Sequence, residues 1–563
     1  MQRFVRVHPV LAGLAAGVLV AAAAAPEARA ERWLPIGARP TSLGGAGVAS
    51  TEDATSIYWS PASLSFLPLN RPPYPSVSRE RLDKAAQDAK EGVGGKLSPE
   101  DEEKIRDEGP DAPDENKGRW TGYDAFQVEI AVNGELKLTG DIVHRLDLMD
   151  KLVKQSDIQG AAARASTTPP TVTQQDFRNL VSFYDQLTGL NQGGDAFGDV
   201  GGGLFMRYKW FGLGIYSNTY VGLRPHVDFQ QGVGFSDSAT VDQIDQQLRA
   251  SGAAIPPPST PAGQRLQAQL VNAGISANSA ADIAGLAEQS GVDLNNQDLQ
   301  DALRLATVAS GSGAGNGIRS NTSGAAITSL STQELALTLA IPLSTEIGLP
   351  LDPDTIGIGI VPKLMHGITA FEDVRATDVL LGNLTFADSS RHFFNSRQES
   401  WKFGLDAGVT IQPAQWLRFG VTGRNLNDPK FKFKDIPGEF ELRHQVRAGV
   451  AIRPIPSIEL TADGDLLANH SSALPGMRSR QVGGGIEWNP DWRLFGFAIR
   501  AGIYDDLEDA RKGFNPVLTA GFGFKLAVVT INVAGAVSLH QEDFRDQRVP
   551  TEGGVAADLG LTW

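Results

Sequence analysis

The chain contains no cysteine. That excludes a lipid-anchored lipoprotein, a disulfide-stapled scaffold, a cysteine zinc site and a thiol oxidoreductase. Long apolar runs are nearly missing as well. The one continuous stretch, Val10 to Ala25, is short and alanine-rich, where a spanning helix wants about 20 strongly apolar residues. A helical membrane protein is therefore not expected. Basic residues are in deficit, with 50 Lys and Arg against 65 Asp and Glu and a formal charge of −15. This balance argues against nucleic acid as a partner. Charged residues of both signs make up only 20% of the chain, whereas glycine is abundant at 62 residues. That composition suits an exported β-barrel.

The amino terminus sets the compartment. Arg3 and Arg6 precede the apolar run, and Ala28-Arg29-Ala30 then offers a small-x-small cleavage site before Glu31. Residues 1–30 read as a secretory signal peptide and are set aside from the fold. They carry three arginines and one glutamate, a net +2, so the mature chain is near −17.

In the last third of the chain, apolar and polar side chains alternate one by one. Over residues 442–453, Leu442, His444, Val446, Ala448, Val450 and Ile452 share one face, and Arg443, Gln445, Arg447, Gly449 and Arg453 share the other. The next segment sets Ile458, Leu460, Ala462 and Leu466 against Glu459, Thr461, Asp463 and Asp465. A period of two means a strand with one apolar and one charged face. Fourteen such strands are expected, at about 124–132, 200–208, 211–221, 332–341, 355–366, 400–411, 416–424, 442–453, 457–467, 479–488, 494–504, 516–525, 527–540 and 554–563. Counted back from the end, their connections alternate long and polar with tight. Outer-membrane barrels keep that parity, with long loops outside and short turns in the periplasm, whereas a soluble sandwich has no reason to. Trp401, Trp416, Trp488 and Trp492 fall near strand ends, where interfacial aromatic girdles lie. The expected fold is thus an all-β transmembrane protein: an antiparallel outer-membrane β-barrel of about fourteen strands, without cofactor, metal or catalytic function.

Alternation places Lys363, Lys402, Asp406, Arg418, Arg424, Arg447, Glu459, Asp463, Asp465, Glu487 and Arg500 in the lumen, with Arg447 expected to pair with Asp463 or Glu459. Two readings fit this charge: a salt-bridged interior, or an Arg clamp for a carboxylate ligand. Phe205, Val361 and Val528 are candidates for apolar inward positions. Asp463 and Asp465 share a face, but no loop supplies further oxygens for a cation. His470 stands among Ser, Ala and Asn without a nucleophile motif. The glycine runs at 201–203 and 483–485 are followed by no Lys-Ser/Thr and no helix, so they are not phosphate loops.

Several regions fall outside the strand pattern. Residues 67–123 form a polar, charged insertion. Residues 140–198 and 223–331 read as helical or irregular loop insertions. They hold amphipathic segments at 141–157 and 174–190 and helical pairs Ile244/Leu248, Leu266/Leu270 and Leu299/Leu303, broken at Pro256-Pro257-Pro258. Residues 31–66 form a compact glycine-rich segment, with Asp53 capping a short turn and Pro61 fixing a bend.

The order of residues in that segment, Gly44, Gly45, Asp53, Tyr58, Trp59 and Ser60-Pro61-Ala62, resembles the N-terminal hatch of FadL-like outer-membrane barrels, where Asn-Pro-Ala is usual. Most of the mature chain is further similar to the TraF-type barrels of conjugal-transfer operons, a branch of the same superfamily. The matching pieces include Thr332-Gln333-Glu334-Leu335, Gly359-Ile360-Val361-Pro362-Lys363, Gly423-Arg424-Asn425-Leu426-Asn427, Gln445-Val446-Arg447-Ala448 and Ala462-Asp463-Gly464-Asp465. The thioredoxin-like protein that shares the TraF name is excluded by the lack of cysteine. The resemblance implies a lumen plugged by residues 31–66. It also implies passive transport or binding of hydrophobic or amphipathic small molecules across the Gram-negative outer membrane. Its TraF branch implies the alternative, a non-transporting envelope component that meets transfer or secretion components through its loops. Outer-membrane lipid is an expected partner in either case. So is the barrel-assembly machinery, which reads the terminal strand at Leu559, Leu561 and Trp563.

Overall fold

The computed structural model describes residues 31–66, 126–140, 142–165, 167, 171–191, 194–226, 228, 240–309, 322–342, 356–375, 378, 386–414, 416–434, 436–492, 495–509, 514–544 and 547–562. The expected signal peptide, the insertion at 67–123 and Trp563 lie outside the described residues.

Fourteen long strands form one sheet, to which the two-residue segment Asp491–Trp492 adds a short pairing: β1 (Phe126–Leu138), β2 (Ala196–Tyr208), β3 (Phe211–His226), β4 (Gly324–Pro342), β5 (Ile356–Arg375), β6 (Gln398–Ala414) and β7 (Leu417–Arg424), then β8 (Gln445–Ile455), β9 (Ile458–Asp465), β10 (Gln481–Trp488), β11 (Phe495–Asp506), β12 (Val517–Leu526), β13 (Val529–Ser538) and β14 (Glu552–Thr562). Each pairs antiparallel with its chain neighbours, and β1 pairs with β14 from Gln127↔Thr562 to Lys137↔Glu552. The sheet closes on itself, so no edge is left to face lipid. Among the described residues, no helix is long and apolar enough to cross a membrane.

The expected alternation appears as burial. Ile130, Val132, Val200, Ile215, Leu335, Leu337, Leu460, Ile486 and Ile531 are exposed on the outside. The residues between them on the same strands, such as Ala131, Glu334, Glu459 and Glu487, are buried. Trp401, Trp416 and Trp488 are exposed on this outer surface.

Several strands run further than the sequence suggests. β2 begins at Ala196, β3 continues to His226 and β4 starts at Gly324, inside the stretches expected as loop insertions 140–198 and 223–331. The physical reason is that pairing continues beyond the apolar band. There lipid no longer holds the outer face to apolar residues, so strict alternation of residue type weakens while the hydrogen-bond ladder persists, as in Arg224↔Ala326 and Glu372↔Ile327. At 442–444 the reverse holds. β8 starts at Gln445, and Leu442 is buried among loop residues instead of facing outward.

The long-loop side carries a helical layer: α3 (Ile142–Gln155), α4 (Ile158–Ala165), α5 (Gln174–Asn191), α6 (Val241–Ala250), α7 (Pro261–Asn272), α8 (Ala277–Gln289) and α9 (Gln297–Ala309), with α1 and α2 introduced below. Its core joins both insertions, with Phe177, Leu180 and Tyr184 of α5 packed with Leu248, Leu266, Ile283 and Leu303. Thr240 and Gln243 form a reciprocal capping box on α6, and Pro261 at the start of α7 follows the Thr260 cap. Gln174 of α5 donates to the carbonyls of Leu248 (2.9 Å) and Ala253 (2.8 Å), tying the two insertions together.

Candidate functional site

Residues 31–66 lie inside the barrel. They hold α1 (Ala38–Ser42), α2 (Ser56–Trp59) and a 3₁₀ turn (Pro61–Ser65), and nearly all of them are buried. Glu31 stands at the long-loop end, where its carboxylate accepts hydrogen bonds from Ser471 Oγ (2.7 Å) and from the backbone N–H groups of Ala473 (3.0 Å) and Ser472. Leu64 lies near the short-turn end, where its carbonyl accepts from Arg207 at the foot of β2.

Small residues permit this close fit. Gly44 has φ 69° and Gly45 φ 76°, a backbone conformation that other residues rarely adopt. A Cβ on Gly44 would stand 2.7 Å from the carbonyl oxygen of Gly484 on β10. The glycine run at 483–485 therefore serves close backbone approach. Asp53 Oδ1 accepts from the N–H of Thr55 at 2.9 Å, holding the turn into α2. Ser60 Oγ lies 3.2 Å from Thr410 Oγ1, and Pro61 and Ala62 pack on Gly359 and Gly408.

The wall grips this plug through charge. Arg39 of α1 donates to Glu459 (2.6 Å) and Glu487 (2.7 Å), and Arg500 donates to the same Glu487 (2.7 Å). Arg32 pairs with Glu135 (2.6 Å) and Glu552. Asp463 Oδ2 accepts from the N–H groups of Gly47 and Val48, each at 2.7 Å. Asp558 accepts from Ala38 N–H at 2.8 Å. Arg453 reaches Glu52 (3.1 Å) and Glu459, and Arg418 donates to Gln412 (3.1 Å) and lies 3.8 Å from Glu52. Lys363 binds Glu334 (2.9 Å), Asp406 (3.0 Å) and Asn425 (2.8 Å).

Arg424 lies 3.8 Å from the centre of the Tyr58 ring and 5.4 Å from that of Trp33, and Arg447 stacks over Trp33 at 5.1 Å. Cation–π contact is strong where water is excluded. Tyr58 and Trp59 anchor the turn by donating to the carbonyls of Leu34 (2.8 Å) and Ile36 (2.7 Å).

Two expectations on these side chains need correction. Arg447 pairs with Asp465 at 2.7 Å, not with Asp463 or Glu459. The register sets Arg447 opposite Asp465, two residues beyond Asp463. Val528 is exposed at the turn after β12 rather than inward, while Phe205 and Val361 are buried inside. Lys402 is half-buried on the inward side of β6, opposite Met365. Leu559 faces outward on β14.

Sequence reasoning missed Glu135, Lys137, Asp199 and Glu552, whose side chains are buried in the upper lumen. Each lies just beyond the bounds of an expected strand. It also missed Arg32 and Arg39, because a glycine-rich segment has no periodicity from which to read a facing residue. The missed signal is the persistence of alternation to Lys137 on β1.

The mouth on the long-loop side is closed by an apolar cap. Phe431, Phe440, Leu442, Ala473 and Leu474, from the loops after β7 and β9, pack with Phe197, Tyr220, Leu330 and Met365 of the wall. Below it, a cavity lined by Arg32, Asn133, Glu135, Gln481 and Tyr504 holds about 20 Å³, room for roughly one water. Among the described residues, no cluster of three or more acidic or histidine side chains is arranged to hold a metal ion.

The family model described as F plasmid transfer operon TraF protein matches residues 126–466, more than half of the chain. No curated protein matches it. Among solved structures, the chain is similar to a FadL homologue from Pseudomonas aeruginosa, at 10% identity over 94% of this chain and 98% of that one, with a TM-score of 0.39. The toluene transporter TbuX of Ralstonia pickettii matches at 10% identity, 94% and 98% coverage and a TM-score of 0.37. The Pseudomonas putida toluene transporter TodX matches at 10% identity, 95% and 98% coverage and a TM-score of 0.36.

Proposed function

We propose a function that starts from family membership: the chain belongs to the F plasmid transfer operon TraF family, and it acts as a closed outer-membrane scaffold. Export by a cleaved signal peptide brings it to the periplasm, and the barrel-assembly machinery inserts it. The helical layer then stands outside the cell and meets components of a transfer or secretion system. The proposal assigns it no catalytic chemistry.

The observation that carries this reading is the interior. A plug held by Arg32, Arg39 and Asp463 spans the lumen, and an apolar cap covers its mouth. Moving such a plug breaks several buried charge contacts together, and breaking even one buried pair costs about 3–5 kcal/mol. A gate that opens for each solute needs a smaller barrier.

The transport reading has one observation in its favour. Trp33, Phe205, Tyr216 and Val361 gather in the lumen near Arg424, the chemistry of a site for an amphipathic anion. The deciding experiment is flux through the purified protein in liposomes, with a labelled long-chain fatty acid and a polar solute of similar size. A folded barrel that passes neither supports the scaffold. Saturable entry of the fatty acid alone replaces it with a transporter gated by the plug.

A further inference from the structure

The upper lumen holds more negative charge than its cations neutralise. Arg32 is shared between Glu135 and Glu552, and Lys137 among Asp506, Asp509 and Glu552. Asp199 of β2 remains. It is buried, and both its carboxylate oxygens are without a hydrogen-bond partner. In the barrel register it stands between Glu135 of β1 and Tyr220 of β3. Its cationic neighbour Arg32 is already shared by Glu135 and Glu552, and a buried carboxylate without a donor is among the costliest arrangements in a protein, so this place favours a further cation.

The chain itself carries one. Electrostatic neighbours of Asp199 include Arg32 and Glu31. Glu31 is the residue that the expected signal-peptide cleavage leaves first. Its position is fixed at both ends: the carboxylate is held by Ser471, Ser472 and Ala473, and its carbonyl oxygen accepts from Gln445. Arg32 lines a cleft with Phe197, which is two residues from Asp199 on the same face of β2. We infer that the α-ammonium group released by cleavage before Glu31 seats against Asp199 and completes the charge balance of the upper lumen.

This inference rests on the signal-peptide reading and is independent of whether the barrel transports anything. Hydrolysis of the bond between Ala30 and Glu31 turns a neutral amide into an ammonium at the top of the plug. An uncleaved precursor has no such charge and leaves Asp199 unpaired. Processing and plug closure are thereby coupled, and a barrel that still carries its leader cannot complete its lumen. The charged and titratable groups that face this seat are Arg32 and the carboxylate of Glu31 itself in the plug, Glu135 and Lys137 of β1, Tyr220 of β3, Tyr504 and Asp506 of β11 and Glu552 of β14.

The test uses full-length protein purified from outer membranes. Mass spectrometry of the intact chain should place its first residue at Glu31; any other first residue overturns the inference. Competitive acetylation with acetic anhydride across a pH series then reports the α-amine. In the folded barrel its apparent pKa should lie above the free-chain range of about 7.7–8.0, and Asp199→Asn should lower it by at least one unit. Burial without the carboxylate partner lowers the value instead, so an amine that titrates at or below the free-chain range in the wild type sinks the proposal, as does an unchanged value in D199N. If D199N does not assemble, a chain with one extra alanine between Ala30 and Glu31 serves. Its amine is displaced by one residue and should lose the elevated pKa. Retention of that pKa overturns the pairing.

Discussion

Arg39 and Glu487, 448 residues apart in the chain, meet inside the barrel through a 2.7 Å hydrogen bond from Nε. Glu487 shares its carboxylate with Arg500 of the neighbouring strand, and Arg39 reaches Glu459 with its other arm. One plug side chain thus closes a network across β9, β10 and β11. Arg39→Ala removes one arginine from each of two buried carboxylates while Arg453 stays on Glu459 and Arg500 on Glu487, and its cost should be about 1.5–3 kcal/mol. Thermal unfolding of the detergent-solubilised barrel, followed by its heat-shifted gel mobility, reads this loss. Arg39→Lys should recover only part of it, since an ammonium cannot reproduce the forked geometry.

Gly44→Ala should unseat the plug without harming the wall. The substitution puts a side chain at φ 69° and drives a Cβ to within 2.7 Å of Gly484 O. Strain of this kind costs about 1–3 kcal/mol before the clash is counted. Limited proteolysis should cut residues 31–66 in this variant while the strands stay protected. Equal protection of plug and wall would show that the wall yields at Gly484.

The outward face can be tested with Leu460→Arg and Val450→Arg. Leu460 is exposed on β9 and Val450 pairs with Ala462 on the same outer face. A guanidinium near the bilayer midplane should cost about 2–4 kcal/mol. Variants that assemble and resist heating as the wild type does would reverse the in/out assignment.

The helical layer should respond to acid through Asp282 of α8. Burial first, and then the contact with Asp245 of α6, push its carboxyl from 3.8 up to about 6. The folded form therefore binds a proton that the unfolded form releases between these values. The stability this contributes is full below about 4 and is lost as pH rises through about 6. Protection factors of the α6 and α8 amides, with the intrinsic base-catalysed pH dependence of exchange divided out, should be higher at pH 5 than at pH 7.5, and Asp282→Asn should flatten that difference. Lower protection at pH 5 than at pH 7.5 in the wild type would contradict the sign.

Most of the barrel wall is legible in the order of its residues. All fourteen expected strands overlap the observed ones, because a wall between lipid and a polar interior forces a period of two on every strand. Ile244, Leu248, Leu266, Leu270, Leu299 and Leu303 are buried in the helical core, as their spacing implies. What the pattern does not reveal sits where that physical pressure lapses. Glu135, Asp199 and Glu552 lie on strand ends beyond the expected bounds, where pairing continues into segments too short and too polar for a period of two to stand out.

The amino-acid sequence alone determined the number of strands, their inward and outward faces and the parity of the loops, because each is set by side chains a few positions apart. Tertiary structure alone decided the partners within the lumen. Arg447 meets Asp465 through strand register, and Arg39 meets Glu487 through the path of a segment that the rest of the barrel encloses. Alternation tells which way a charge points, whereas a partner hundreds of residues away depends on how the sheet closes and what it closes around.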